Sequence, residues 1–335
     1  MASLNYTMID STEMQTSEVY GHTLVELAKQ DPRIVGFSGD LAKSTKIGLL
    51  NNQFPDRFFN AGIAEQNMFG MAAGMAKCGY VPFVSTFASF ATMRALEQMR
   101  TDICYGNANV KIIATHSGLS FGNAGSTHQS PEDIAILRSI TNLVSICPAD
   151  GLSAMQAVEA AYEHDGPAYV RVNRGFDQVV YTEPIENFRI GGSNTIMDGN
   201  DITIIAIGSA VWRAVQAAER LRNEDGIQAR VIDMYSIKPL DEEAIKAAVA
   251  DTRRIITVED ANIVNGLGAA VADVAATTGK GFAFRKLGIP DEWSIIGQPE
   301  DLFAHYGYDE NGILETAREV LRVEIEEDDD WDDEV

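Results

Sequence analysis

The feature that most constrains the fold is a repeated alternation of short apolar runs with longer stretches of helical apolar spacing. SEVYGHTLVELAKQ (17–30) carries apolar residues at helical spacing, and RIVGFSGD, from Arg33, reads as a short buried strand ending in a polar turn. RFFNAG, VPFVSTF, NVKIIATHS, LVSICPAD and PAYVRVN continue the strand series, separated by helical stretches in AEQNMFGMAAGMAKCG, ATMRALEQMRTDICYG, PEDIAILRSI and GLSAMQAVEAAYEHD. Continuous apolar strands between amphipathic helices predict a parallel sheet covered on both faces. After a mixed, polar, glycine-bearing stretch the alternation restarts with ITIIAIGS, AVWRAVQAAERLRNEDG, QARVIDMYS, a helix from Asp241, RIITVED and a helix from Leu267, and closes with a helix from about Asn311 to Val323. With 335 residues, the chain exceeds one ordinary hydrophobic core and suits two of roughly 150 residues each. The expectation is an α/β fold of two domains, each a mainly parallel sheet flanked by helices: 12–180 and 200–323, with a linker at 181–199 and an acidic, disordered tail at 324–335.

Charge and cysteine usage narrow the function classes. The formal net charge is -23, and the last twelve residues contain nine acids and no base, so nucleic acid and anionic membranes are excluded as expected partners. No apolar run reaches the length of a membrane span, and MASLNYTMIDSTEMQTSEVYG lacks the charged-then-apolar pattern of a signal peptide, so a cytoplasmic location is expected. Cys78, Cys104 and Cys147 are far apart with no CxxC pair, which argues against a zinc site or a disulfide framework.

Ligands of open α/β sheets sit beyond the carboxyl ends of the strands. Four polar clusters fall there: Gly39-Asp40, Ala61 to Gln66, His116 to His128, and Asn173-Arg174. Each has an ordinary structural explanation. Glu65 just inside a helix N-terminus complements the helix dipole. Gly70 and Gly74 ease helix packing, Phe87 and Phe90 are core aromatics three apart, and Asp40 is a turn residue. Convergence of four ends of one sheet is more informative than any one of them. Two of five histidines bracket a single glycine-bearing loop, SGLSFGNAGST, which favours function over structure for that pair.

FFNAGIAEQNMFGMAAGMAKCGYVPFVSTFASF, THSGLS, AGSTHQSPEDIAILR and GPAYVRVNRG, in this order and spacing, resemble the pyrimidine-binding domain of transketolases. ITIIAIGS, VIDMYSIKPLD and VEDANIVNGLG resemble the C-terminal domain of the same family, so the resemblance covers roughly residues 14–322. It implies a thiamine diphosphate cofactor, with the Glu65 carboxyl hydrogen-bonded to N1′ of its aminopyrimidine. That contact favours the imino tautomer, whose N4′ deprotonates thiazolium C2. It further implies that Phe90 stacks on the aminopyrimidine, that Phe87 lines the same pocket, and that Asp40 lies near the cofactor. His116 and His128 are expected to face the substrate's hydroxyl and carbonyl oxygens, with Ser44, His116 and Arg174 at its phosphate; a guanidinium suits that task.

What the sequence lacks is also informative. Full-length enzymes of this group hold Mg²⁺ and the pyrophosphate with a GDG…N segment, and no GDG occurs here. No metal ligand is therefore expected on this chain, and the resemblance implies a β subunit that requires an α subunit carrying the diphosphate-binding domain, in an α2β2 assembly. Four positions depart from the family pattern: Ser17 replaces an arginine of the phosphate site, Ala124 an aspartate that reads a donor hydroxyl, Met93 an aromatic, and Ala261 a histidine. The expected activity is transfer of a two-carbon ketol unit from a phosphorylated ketose to an aldose. The alternatives are a β subunit of a 2-oxoacid dehydrogenase, a half resembling deoxyxylulose-phosphate synthase, or a non-catalytic regulatory subunit.

Overall fold

A computed structural model describes residues 14–175 and 177–325. Most of the acidic tail, 326–335, and residues 12 and 13 lie outside the described residues.

Among the described residues twelve strands build two sheets: β1 (Ile34–Ser38), β2 (Phe58–Asn60), β3 (Val81–Phe87), β4 (Lys111–Thr115), β5 (Val144–Ile146), β6 (Ala168–Arg171), β7 (Asn194–Met197), β8 (Ile202–Ala206), β9 (Ala229–Asp233), β10 (Ser236–Lys238), β11 (Arg254–Asn262) and β12 (Ala283–Ile289). The first sheet has the order β10-β5-β6-β4-β3-β1-β2 and the second β12-β11-β8-β9-β7. Every pairing within β1 to β6 is parallel. Each residue of β1, β3, β4 and β6 is buried, as two covered faces require of apolar strands. The fold is thus the α/β arrangement expected, two mainly parallel sheets flanked by helices.

Two short strands were not visible as separate elements. β7 lies inside the stretch read as a linker and pairs antiparallel with β9 on the edge of the second sheet. β10 follows β9 in sequence, yet it pairs antiparallel with β5 and extends the first sheet, with Cys147 N–H donating to Tyr235 O at 2.7 Å. The chain therefore returns to the first sheet after entering the second. The stretch after β3 is helical but irregular: π-helical turns at Phe90–Arg94 and Met99–Cys104 flank Leu96–Gln98. No helix among the described residues is long and apolar enough to cross a membrane.

Candidate active site

Strand ends put the polar clusters side by side. After β1, Asp40 takes a left-handed backbone (φ 65°), and after β4 His116 does the same (φ 60°). Non-glycine residues in this region are strained and collect where geometry serves function. Asp40 is exposed and tied to the end of β2, its N–H donating to Asn60 Oδ1 at 3.1 Å and its carboxylate accepting from Asn60 Nδ2 at 3.2 Å.

Glu65 opens the helix Glu65–Lys77 and is 4% exposed. A buried carboxylate at a helix N-terminus is favoured by the dipole, and it has a second partner: Arg94 Nη1 lies 3.0 Å from Glu65 Oε1. The same guanidinium sits with its Cζ 3.8 Å above the centroid of the Phe90 ring. A flat group bearing N–H donors can thus stack on Phe90 and bond Glu65 at once, because Arg94 does both. An aminopyrimidine in its imino tautomer, whose N1′–H donates to a carboxylate, asks for the same two contacts, so the residues present fit that ring.

Phe90 belongs to a cluster of five rings. Phe87 stacks on His116 with centroids 3.9 Å apart and lies 5.4 Å from Phe90. His128 is 5.3 Å from Phe90, and Phe121 is 5.6 Å from His128 and 5.0 Å from His116. Phe87, Phe90, His116 and His128, read from separate parts of the sequence, therefore form one ring cluster, to which Arg94 links Glu65. His116 is buried, and burial, reinforced by the charges of Arg174 and His128, pushes its pKa down to about 3. At neutral pH it is a neutral imidazole, able to give or take a hydrogen bond with a sugar oxygen, and its Nδ1 is 2.8 Å from Thr115 Oγ1. His128 Nδ1 is similarly 2.8 Å from Thr127 Oγ1. Each hydroxyl thus engages Nδ1 rather than Nε2 of its histidine.

Beyond His116 an open cavity of about 720 Å³ is lined by Lys43, Ser44, Lys46 and Arg174, with Glu300 as its one acid among the described lining residues. Lys46 is paired with Glu18 at 3.7 Å, and Lys43 and Arg174 add two further cations to a groove of a chain of net charge -23, which favours an anionic ligand. Arg174 is exposed, with its Cζ 4.5 Å over the Phe121 ring. The sequence reading missed Lys43, Lys46, Phe121 and Arg94. Ser17 is buried in the helix Thr16–Gln30. Met93 is half-exposed, Ala124 ends a single turn at Gly122–Ala124, and Ala261 is fully buried in β11. Nothing in the structure explains the replacement at Ala261. Among the described residues no group of three or more His, Cys, Asp or Glu could hold a metal ion.

Comparison with known proteins matches residues 12–176 to the transketolase pyrimidine-binding domain and residues 191–313 to the transketolase C-terminal domain. The chain is 42% identical over 306 residues to a putative transketolase C-terminal section of Methanocaldococcus jannaschii, covering 91% of this chain and 96% of that one. It is 42% identical over 300 residues to one subunit of the apulose-4-phosphate transketolase of Phocaeicola vulgatus, covering 90% and 95%. Among solved structures it resembles a split-gene transketolase, an inactive β4 tetramer, with TM-score 0.82, 39% identity and coverage of 92% and 98%. The chain belongs to the transketolase family, a thiamine-diphosphate-dependent group. Within it, these relatives are C-terminal sections and single subunits of transketolases divided between chains.

Proposed function

We propose that this chain is the β subunit of a cytoplasmic thiamine-diphosphate-dependent transketolase, moving a two-carbon ketol unit from an anionic ketose to an aldose. The observation that carries the reading is the shared contact of one flat cation with Glu65 and Phe90, beside two histidines and a cationic groove. When bound, the cofactor supplies the carbon nucleophile and electron sink. This chain's residues do the rest. The Glu65 carboxyl hydrogen-bonds N1′ of the aminopyrimidine, Phe90 and Phe87 hold the ring, and Asp40 borders it. His116 and His128 bond the hydroxyl and carbonyl oxygens of the sugar and move protons at them. Ser44, Arg174, Lys43 and Lys46 hold the anionic end. In keeping with relatives that are sections or subunits of divided transketolases, Mg²⁺ and the pyrophosphate fall to an α subunit, in an α2β2 assembly.

The donor differs from the common pentose and hexose phosphates. A carboxylate that pairs with a sugar hydroxyl discriminates strongly, and Ala124 offers only a methyl. The P. vulgatus relative is named for apulose 4-phosphate, which accords with a less usual phosphorylated sugar. The test is kcat/KM across a panel of ketose donors in the reconstituted complex. A branched or deoxygenated anionic donor is expected to exceed xylulose 5-phosphate. A wide margin in favour of xylulose 5-phosphate contradicts the donor assignment, and transfer from no ketose contradicts the transketolase reading.

A further inference from the structure

The segment carrying both histidines is held from the second domain. Its neck is closed by Gly118 and Ser130, which pair as an isolated bridge with Ser130 N–H donating to Gly118 O at 2.9 Å. Against this neck stands the carboxyl end of β11. Asp260, 1% exposed, accepts from Leu119 N–H with both carboxylate oxygens, at 3.0 and 3.2 Å, and from Tyr308 Oη at 2.9 Å. Its own carbonyl accepts from Arg171 Nη2 at 2.7 Å, and two residues on Asn262 N–H donates to Pro131 O at 2.7 Å. Gly118 has φ +53°, and a Cβ there would lie 2.1 Å from Asp260 Oδ2, so carboxylate and turn are fitted closely enough to require glycine. His116, two residues earlier, is itself left-handed. A strained backbone of this kind persists only where its surroundings over-determine it.

We propose that Asp260, supported by Tyr308, is a positioning residue that clamps the neck of the histidine segment, and that setting His116 and His128 is a task of the C-terminal domain in the reaction. The functional part of this statement rests on the transketolase reading; the clamp itself does not. Asp260 touches no reacting atom in this account and acts through Leu119. Phe87, Phe121, His128, Thr115 and Arg174 face His116 directly, and Lys43, Lys46 and Glu300 share its cavity; the Asp260 carboxyl instead meets Leu119 and Tyr308, so a change at Asp260 reaches His116 through the backbone.

The test follows imidazole titration by NMR in the isolated full chain, in which His22, His164 and His305 serve as internal references beside His116 and His128. In Asp260→Ala the neck loosens and His116 meets solvent, so its midpoint is expected to rise by about a unit or more toward the ordinary histidine value, with the reference midpoints unchanged. Tyr308→Phe is expected to give a smaller shift of the same sign. In the α–β complex both variants should lower kcat/KM for ketol transfer while the Kd for thiamine diphosphate stays at the wild-type value. An unchanged His116 midpoint in folded Asp260→Ala overturns the clamp. If that variant loses its folded signal dispersion, an unchanged midpoint in Tyr308→Phe overturns it instead. A wild-type complex without transfer activity would count against the enzymatic reading and leave the imidazole result to decide the clamp.

Discussion

Arg94 occupies both contacts proposed for the aminopyrimidine, so binding must displace it. The ring contact, with the guanidinium 3.8 Å above Phe90 and Arg94 about half exposed at 49%, contributes about 0.5–1 kcal/mol. The ion pair to Glu65 at 3.0 Å joins this half-exposed cation to a buried carboxylate, and discounted for solvent it contributes about 0.5–1 kcal/mol. Losing both costs the cofactor roughly 1–2 kcal/mol, or about 5- to 30-fold in Kd. Arg94→Ala is therefore expected to bind thiamine diphosphate more tightly by that factor, measured by isothermal titration into the α–β complex in the presence of Mg²⁺. The enthalpy of binding should also become more favourable, since no ion pair is broken. Equal or weaker binding would refute the reasoning, because Arg94 would then assist the ring rather than stand in its place.

Three further outcomes follow from the geometry. Glu65→Gln should leave the circular dichroism spectrum intact yet slow hydrogen–deuterium exchange at thiazolium C2 in the complex by about 10²-fold or more, as loss of an acid–base contact does; exchange at the wild-type rate would remove Glu65 from the mechanism. Asp133→Ala strips the partner from Arg171, in a pair 2.8 Å apart whose side chains are 0% and 2% exposed, and should lower unfolding stability in urea by about 3–5 kcal/mol. His116 resists protonation when folded down to about pH 3, whereas an unfolded histidine takes a proton near 6.5. Between these values the unfolded state binds more protons, so the stability of the wild type relative to His116→Gln should fall with decreasing pH, by up to about 1.4 kcal/mol per unit.

Much of this site can be read from residue order. Glu65, His116 and Arg174 stand soon after apolar strand runs, where an open sheet gathers its ligands, His128 closes the loop that His116 opens, and Phe87 ends one such strand. Arg94 was missed because Phe90–Arg94 and Met99–Cys104 are π-helical, and an extra residue per turn spoils the 3.6-residue period by which faces are assigned. Its four-residue spacing from Phe90 was the available signal. Phe121, a large aromatic among glycines and small polar residues in SGLSFGNAGST, was a second. Asp260 could have been suspected because RIITVEDAN carries two adjacent acids straight after the strand run IITV, and buried acids need partners. The strands β7 and β10 were illegible for a different reason. Four- and three-residue edge strands have too few positions to show alternation, and their pairing is decided by tertiary contact.

The central claim is that this chain carries the pyrimidine and sugar contacts of a site that a second chain completes. Its most direct test is calorimetric titration of thiamine diphosphate, with Mg²⁺ present, into the chain alone and into the chain mixed with a partner bearing the GDG…N segment, with ketol transfer assayed on the same samples. Weak or no binding and no turnover are predicted for the chain alone, and saturable binding with turnover for an assembly of two chains of each kind. Tight binding and turnover by the chain alone would contradict the account.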